Sequence, residues 1–295
     1  MSIPPTPMAA SIPAAITEPQ RSLEPHSAAA RRVTLCALTF GNYLPYFRRC
    51  LESLLAAPPQ EPFELRLGFN DAPTSFAYAV GRLGADGAAW MHTRVPGGVE
   101  RFTNTGDDGM PVWLWHSPVN LYKEPMARRL FHDVPLTTEY VLWFDDDSYV
   151  EPGWWEQLRP LLERQVDYIG QPWWVYYLPG QEEMIRAQPW YRGVPFARQD
   201  GRTGINFMTG GFLAVRSERL REANFPDTGF WWKGRTLQQY GGDTLLGEIA
   251  RQQGWTWAKH DTHVRVNVDL AGRHPAPRRG GVGRQFGSDL DVAIR

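Results

Sequence analysis

Apolar residues follow two different spacings along the chain, which predicts strands interleaved with helices. The run at residues 33–39 is continuously apolar, as in a strand buried on both faces of a sheet. The segment after it repeats apolar residues at helical spacing, at Leu44, Phe47, Leu51, Leu54 and Leu55. Further strands are predicted at residues 63–69, 112–115 and 140–144, with helices beginning near Pro125 and Pro152. This order favours an α/β fold with a mixed, mainly parallel sheet flanked by helices.

The second half of the chain has a less regular pattern. Short strands are predicted at residues 167–170 and 209–215, a helix opens at Gly242 and ends at Gly254, and late strands follow at residues 255–259 and 264–268. Between them, residues 171–209 carry many aromatic side chains without a clear period. We therefore expect loops over residues 171–209.

The two ends differ in composition from the rest. Residues 1–30 are rich in Pro, Ala and Ser, and residues 271–295 combine Gly and Pro with scattered Arg, so neither segment can bury enough apolar area to offset its ordering entropy. We expect flexible tails around one domain at residues 31–270. With 295 residues and 42% hydrophobic content, the chain has ample material for such a core.

Charge and cysteine content exclude several classes of protein. The net charge of -1 gives no overall attraction to nucleic acid or to an anionic membrane. The two cysteines, Cys36 and Cys50, lack the spacing of a zinc site, which indicates a reducing compartment. No apolar run approaches the ~20 residues needed to span a bilayer, and no signal peptide is recognisable. The sequence predicts a soluble, cytoplasmic protein.

The most informative motif is a cluster of carboxylates where a strand ends. The apolar run at residues 140–144 stops at Asp145, Asp146 and Asp147. Because side chains alternate along a strand, Asp145 and Asp147 are expected to face the same way and to bind one hard cation, with Asp146 turned away. An EF-hand is excluded, since its sixth loop position would be Val150 where glycine is needed.

Other polar residues follow the predicted strands in the same manner. Thr39, Asn42, Asn70 and Asp71 each come at or just after the end of an apolar run. In α/β sheets, ligands bind at the carboxyl ends of the strands, so these residues are expected along one rim with the aspartates. Only Gly41 stands at the first strand-to-helix turn, and neither a dinucleotide fingerprint nor a P-loop is present.

In this order and character, the motifs resemble those of the GT-A glycosyltransferases, in particular the large family 2 group. The resemblance spans about residues 32–267 and rests on the opening strand with its Thr-Phe-Gly-Asn turn, the Asn70-Asp71 strand end, the Asp-x-Asp run, the Gly210-Gly211 strand and Gly242-Asp243. It implies a metal-dependent transferase that moves a sugar from a nucleotide-diphosphate donor, a UDP-sugar being favoured, to a hydroxyl acceptor with inversion. Residues 31–150 would then bind the donor and residues 151–270 the acceptor.

The resemblance also assigns roles to single residues. Thr39 and Asn42 would lie beside the nucleotide, and Asp71 would accept a hydrogen bond from the base. Asp145 would face the ribose or the metal, while Asp147 and His263 would bind Mn²⁺ or Mg²⁺. One of the basic residues before the aspartate strand would contact the nucleotide; the candidates are Lys123, Arg128 and Arg129.

On the acceptor side, Asp243 occupies the place of the general base. Many family members have Glu-Asp there, whereas this chain has Gly242-Asp243, and a helix-capping role for Asp243 is the alternative. Four tryptophans in loop-like sequence are candidates for stacking on the acceptor: Trp173, Trp174, Trp231 and Trp232.

The acceptor itself is left open by the sequence. A glycan, a metabolite, a protein and a hydroxymethylated DNA base all satisfy the resemblance, and the Arg-rich end is the one compositional hint of DNA. Two other classes also stay open: a nucleotidyltransferase, and a nucleotide-sugar-binding module without activity.

Overall fold

A mixed sheet of ten strands forms the centre of the structure, a computed structural model that describes residues 32–84, 89–105, 109–177, 179–226, 241–260 and 264–266. The strands are β1 (Val33–Phe40), β2 (Phe63–Asn70), β3 (Met91–Val95), β4 (Val99–Thr105), β5 (Pro111–Ser117), β6 (Tyr140–Asp145), β7 (Ser148–Val150), β8 (Tyr168–Tyr176), β9 (Ala197–Gln199), β10 (Arg202–Arg216), β11 (Trp257–Lys259) and β12 (Val264–Val266). The helices are α1 (Leu44–Ala56), α2 (Pro73–Leu83), α3 (Lys123–His132), α4 (Trp154–Glu163), α5 (Gln181–Arg186), α6 (Ser217–Glu222) and α7 (Gly241–Gln252).

The strand order is β11-β8-β10-β6-β1-β2-β5-β4-β3, with β9 paired to β10. Strands β6, β1, β2 and β5 are parallel at the centre, and antiparallel strands extend the sheet on both sides. The predicted mixed α/β sheet with flanking helices is therefore confirmed. Strands β7 and β12 form a separate two-stranded sheet directly after the aspartate cluster.

Side-chain alternation divides the core into two clusters, one on each face of the central strands. On one face, Trp143 of β6 packs with α3 and α7. On the other, Leu142 and Phe144 pack with α1 and α4, and α1 contributes the stripe Phe47, Cys50, Leu51 and Leu54 at helical spacing. Because Asp145 continues the series of Val141 and Trp143, it emerges on the face of α3 and α7.

Two glycines allow α3 and α7 to approach the sheet closely. A Cβ added at Gly68 of β2 would lie 2.8 Å from Met126 Cγ of α3. One added at Gly247 of α7 would lie 2.5 Å from Phe207 Cβ of β10. Both contacts are shorter than real Cβ atoms make, so glycine at these positions brings the two helices against the strands.

The structure corrects the prediction of loops over residues 171–209. Most of this stretch is ordered as β8, α5, β9 and the first half of β10, and β8 pairs with β10 through residues such as Trp173 and Trp174. The β3–β4 hairpin was not predicted from the sequence, because strand β3 is largely exposed and lacks an apolar pattern. The predicted tails at residues 1–30 and 271–295 lie outside the described residues.

No described helix combines the length and the apolar character required to cross a membrane.

Candidate functional site

Charged side chains from three elements meet at the carboxyl end of β6. Lys123, the first residue of α3, places its Nζ 2.9 Å from Asp145 Oδ1 and 3.2 Å from Asp145 Oδ2. The indole Nε1 of Trp143 donates a second hydrogen bond to Asp145 Oδ1 at 2.9 Å. Asp243, in the first turn of α7, lies close enough for its charge to act on the same ammonium group. The structure thus brings together Lys123, Asp145 and Asp243, three of the predicted site residues.

The surrounding carboxylates keep Lys123 charged. Burial alone would lower the pKa of this amine, but the negative charges of Asp145 and Asp243 and the hydrogen bond to Asp145 outweigh burial and raise the pKa above its usual value. Lys123 is therefore an ammonium ion throughout the physiological range. Its side chain is 32% exposed and that of Asp145 is 27% exposed, so both remain accessible from solvent.

Glu124 fixes the position of Asp243 relative to Lys123. Its Oε1 accepts a hydrogen bond from the backbone N–H of Gly242 at 2.8 Å. This bond satisfies one of the unpaired donors at the start of α7 and ties the beginnings of α3 and α7 together. A glutamate next to the ammonium group thus acts as a brace between the two helices, a role that its position in the sequence did not reveal.

A mainly apolar pocket opens beside these charges, between α3, α7 and the sheet. Lys123, Glu124 and Asp243 supply its charged lining. The remaining walls come from Ala127, Phe131, Val141, Trp143, Leu213, Leu220, Phe225, Pro226, Gly242 and Leu246. Low-polarity walls strengthen the interactions of the charges that border them.

Strand geometry ends before the second and third aspartates of the cluster. Strand β6 ends at Asp145, and Asp146 and Asp147 form a turn before β7. Asp146 is 2% exposed and accepts a hydrogen bond from Thr39 Oγ1 at 2.9 Å, so it is indeed turned inward. Asp147 is only 3% exposed. Because strand geometry stops at Asp145, alternation does not place Asp145 and Asp147 on one face.

A divalent metal fits these residues in part. Asp145 and Asp147 supply the carboxylate oxygens that Mn²⁺ and Mg²⁺ prefer. Across the described ranges, however, no group of three or more His, Cys, Asp or Glu side chains is arranged to hold a metal ion, and His263 lies outside those ranges. Asp145 is already paired with Lys123, so a metal ion there would have to share this carboxylate with the ammonium group or displace it.

The predicted nucleotide-binding residues lie at the ends of β1 and β2. Asn42 is exposed in the turn before α1, whereas Thr39 is buried, with its hydroxyl bound to Asp146. Asp71 is exposed, and its backbone N–H donates to the carbonyl of Ser117 at 2.9 Å. Its charge also acts on His116, whose pKa is lowered mainly by burial. Asp71 therefore sits at the β2–β5 end of the same rim.

The structure separates the three basic candidates. The guanidinium group of Arg128 contacts the loop after α6, where it donates to Asn224 Oδ1 at 3.1 Å and to the carbonyl of Pro226 at 3.0 Å. Arg129 pairs with Asp133 at 3.3 Å. In this structure Arg128 thus holds a loop through its donors, and its contact with the nucleotide stays a prediction. Lys123 remains as the basic residue at the strand ends.

Two of the four candidate tryptophans can be located. Trp173 and Trp174 are partly buried in β8, opposite Phe207 and Asn206 of β10, and not in loops as expected. Trp174 packs against Gly204, where a Cβ would lie 2.5 Å from the indole ring. Trp231, Trp232 and His263 lie outside the described residues, although β12, which follows His263, pairs with β7 directly after Asp147.

Comparisons with known proteins give a limited likeness of fold. No protein-family profile matches the sequence, and no curated protein matches it. Among solved structures, this chain is similar to the mannosyltransferase PcManGT from Pyrobaculum calidifontis in complex with GDP-Man and Mn²⁺, with 14% identity and a TM-score of 0.47 over 81% of this chain and 58% of that one. It is also similar to S. aureus TarS, with 13% identity and a TM-score of 0.44 over 79% of this chain and 36% of that one. The chain thus spans less than two thirds of either structure.

Proposed function

We propose that this chain is a glycosyltransferase that moves a sugar from a nucleotide-diphosphate donor, a UDP-sugar, to a hydroxyl acceptor. One observation carries the proposal: Lys123 is paired with Asp145 and lies within range of the charge of Asp243, where the parallel strands end. Such sheets bind nucleotides at this edge. The ammonium group lies near two carboxylates. One carboxylate can orient the donor and the other can accept a proton, and this arrangement suits the transfer of a group from a diphosphate.

In this reaction, Asp243 is the general base. Its carboxylate accepts the proton of the acceptor hydroxyl while the acceptor oxygen bonds to the anomeric carbon. The bond between that carbon and the diphosphate oxygen breaks on the opposite side, and its electron pair leaves with the nucleoside diphosphate. A single displacement of this kind inverts the anomeric configuration. Lys123 offers positive charge where the leaving group becomes more negative.

Mn²⁺ or Mg²⁺ would be held by Asp145 and Asp147, with His263 as the third predicted ligand. When bound, such an ion neutralises negative charge on the diphosphate. Asp71 accepts a hydrogen bond from the base and Asn42 lines the nucleotide, while the buried Thr39 supports this edge of the site through its bond to Asp146. Trp173 and Trp174 are retained as acceptor-side candidates, together with Trp231 and Trp232. Donor-binding residues then lie mainly in residues 31–150 and acceptor-binding residues in residues 151–270.

The test measures sugar transfer and donor hydrolysis from UDP-sugars with Mn²⁺ present, in the wild type and in Asp243→Asn. Loss of the base should lower kcat about 10²- to 10⁴-fold while the Kd for UDP changes less than threefold. Glu163→Gln serves as a control, because Glu163 is an exposed acid on α4, which packs on the other face of the sheet. Full activity of Asp243→Asn would remove Asp243 from the mechanism.

Product analysis separates the remaining classes. Release of UDP supports the proposal, whereas release of pyrophosphate indicates a nucleotidyltransferase. Donor binding without turnover over glycan, small-molecule and protein acceptors indicates a binding module. Hydroxymethylated DNA belongs in the acceptor panel, and transfer to it should weaken with added salt if the Arg-rich end contacts the phosphates.

A further inference from the structure

Tyr122, immediately before α3, has a backbone conformation that suits glycine. Its φ of 66° and ψ of 174° fall in a region that residues with a side chain seldom occupy. A tyrosine there is strained, because its Cβ crowds the neighbouring peptide groups. The fold thus keeps a large side chain at a position where glycine would be more stable.

Hydrogen bonds on both sides hold this conformation in place. Asn70, buried at the end of β2, donates from Nδ2 to the carbonyl of Tyr122 at 2.7 Å and accepts from the backbone N–H of Leu121 at 3.2 Å. The N–H of Tyr122 donates to Asn120 Oδ1 at 2.8 Å. The end of β2 therefore fixes the loop that leads into α3, and with it the direction in which the tyrosine ring leaves the backbone.

Burial of the ring does not offset this strain. Tyr122 is 51% exposed and is one of the few large apolar side chains on the described surface, together with Val119 of the same loop. A half-exposed ring contributes little to the core. Strained residues that the surrounding structure holds firmly are found mainly at binding and catalytic sites. A half-exposed ring that is held in this conformation is therefore a candidate for contact with a ligand.

The position of Tyr122 indicates which part of a ligand it meets. On one side, Asn70 joins its loop to the end of β2, where the next residue is Asp71. On the other side, the next residue is Lys123, which pairs with Asp145. Tyr122 thus stands along the rim between the predicted base contact and the predicted diphosphate contact. A flat ring at this point offers a stacking surface.

Resting on the proposed function, we propose that the ring of Tyr122 is the platform on which the nucleobase of the donor stacks. Asp71 then binds the edge of the base while Tyr122 covers its face, and Lys123 meets the diphosphate. The strained backbone sets the ring at the rim, so donor affinity is gained at the expense of stability in the empty protein.

The experiment compares Tyr122→Gly, Tyr122→Phe and the control Val119→Ala in the full chain. Calorimetry measures the Kd for UDP and, as a probe that lacks a base, for inorganic pyrophosphate; GDP replaces UDP if the wild type binds only GDP. We expect Tyr122→Gly to weaken nucleotide binding about 10- to 100-fold with pyrophosphate binding unchanged, because stacking on an aromatic ring is lost. Its melting temperature should stay the same or rise, because glycine relieves the strain.

Tyr122→Phe keeps a flat ring and should bind the nucleotide within threefold of the wild type, as should Val119→Ala. Unchanged nucleotide affinity in Tyr122→Gly would overturn the proposal, and so would an equal loss of nucleotide and pyrophosphate binding, which would indicate a collapsed loop. If the wild type binds neither UDP nor GDP, the proposed function fails. If it binds a nucleotide and transfers a sugar while Tyr122→Gly binds equally well, only the platform is refuted.

Discussion

Lys123 is the residue at which the charges of the candidate site meet. In the sequence it is one of three basic residues on a short helix, and nothing there separates it from Arg128 or Arg129. The separation comes from the partners that each side chain finds. Arg128 and Arg129 bind loop carbonyls and a neighbouring aspartate, while Lys123, at the start of α3, reaches Asp145. An ammonium held in this way can serve the donor without first leaving a buried structural contact.

Replacing Lys123 tests whether its charge serves activity and contributes little to stability. A partly exposed ion pair contributes at most about 1 kcal/mol, so Lys123→Met should change the free energy of unfolding by no more than that. Transfer activity should fall about 100-fold, because positive charge near the leaving group is lost. Mn²⁺ should bind more tightly, since Asp145 is released, and electron paramagnetic resonance titration measures this affinity. Lys123→Arg is the control that keeps the charge, and unchanged activity in Lys123→Met would contradict the assigned role.

A second charged residue, Asp167, gives a prediction of pH dependence. Burial would raise its pKa, but hydrogen bonds from the backbone and hydroxyl of Thr256 and from Arg219 lower it overall. A carboxyl whose pKa is lower in the folded than in the unfolded state stabilises the fold above the unfolded pKa of about 3.9 and loses this contribution as the pH falls towards the folded value. Asp167→Asn should therefore cost about 1–3 kcal/mol at pH 7.

Urea unfolding of Asp167→Asn and the wild type from pH 7 down to pH 3 measures this effect. The difference in unfolding free energy between them should shrink below about pH 4, where the unfolded carboxyl takes up its proton. A difference that stays constant over this range would show that the charge of Asp167 makes no contribution.

At the scale of elements, predictability follows how completely an element is buried. Strands β1 and β6 and helix α1 were predicted close to their true bounds, because strands covered on both faces read as apolar runs and α1 shows one apolar stripe. Strand β2 was also predicted, because every second residue from Phe63 to Phe69 is apolar. Strand β8 was missed beyond Gly170, since its outer half is only partly buried and carries aromatic residues without alternation. The sequence therefore predicts the rim of the site, but not the partners of its side chains.

The C-terminal end of α3 is held by a buried ion pair that was not predicted from the sequence. Arg66 of β2 is fully buried, pairs with Glu64 at 2.8 Å and donates to the carbonyls of Leu130, Val134 and Pro135 just where α3 ends. Arg66→Met should cost about 3–5 kcal/mol, because Glu64 is left as a buried unpaired charge and these carbonyls lose their donors.

The matched variant is the double mutant Glu64→Gln, Arg66→Met, which removes both charges. Urea denaturation should show that it is more stable than Arg66→Met alone, since no isolated charge remains. Equal stability of the single and double variants would place the cost in the lost carbonyl bonds instead. In either case α3, and with it Lys123, is held from its far end by β2.

At the scale of the whole molecule, the candidate site forms because three elements bring charged side chains to one place in the fold. Asp145 ends a central strand, Lys123 begins α3, the element just before that strand, and Asp243 lies at the start of α7, much later in the sequence. Asp145 was predicted from its place after an apolar strand and Asp243 from the resemblance to the GT-A glycosyltransferases, and the fold supplies their proximity through α3. The brace from Glu124 to Gly242 could not be predicted, because it depends on how α3 and α7 pack on the sheet.

The two cysteines test whether the sheet holds both halves of the core together as one unit. Cys36 belongs to the cluster beneath α3 and α7, Cys50 to the cluster on the opposite face, and both are fully buried. Burial also raises the pKa of each thiol, so neither should react with a thiol reagent in the native protein.

If residues 31–270 form one cooperative domain, both cysteines should become reactive with the same midpoint of urea. Pulsed labelling followed by mass spectrometry of the two peptides measures each midpoint separately. Reaction of Cys50 well below the midpoint for Cys36 would mean that α1 detaches first, and that the α3–α7 face, which carries the candidate site, is the more stable half.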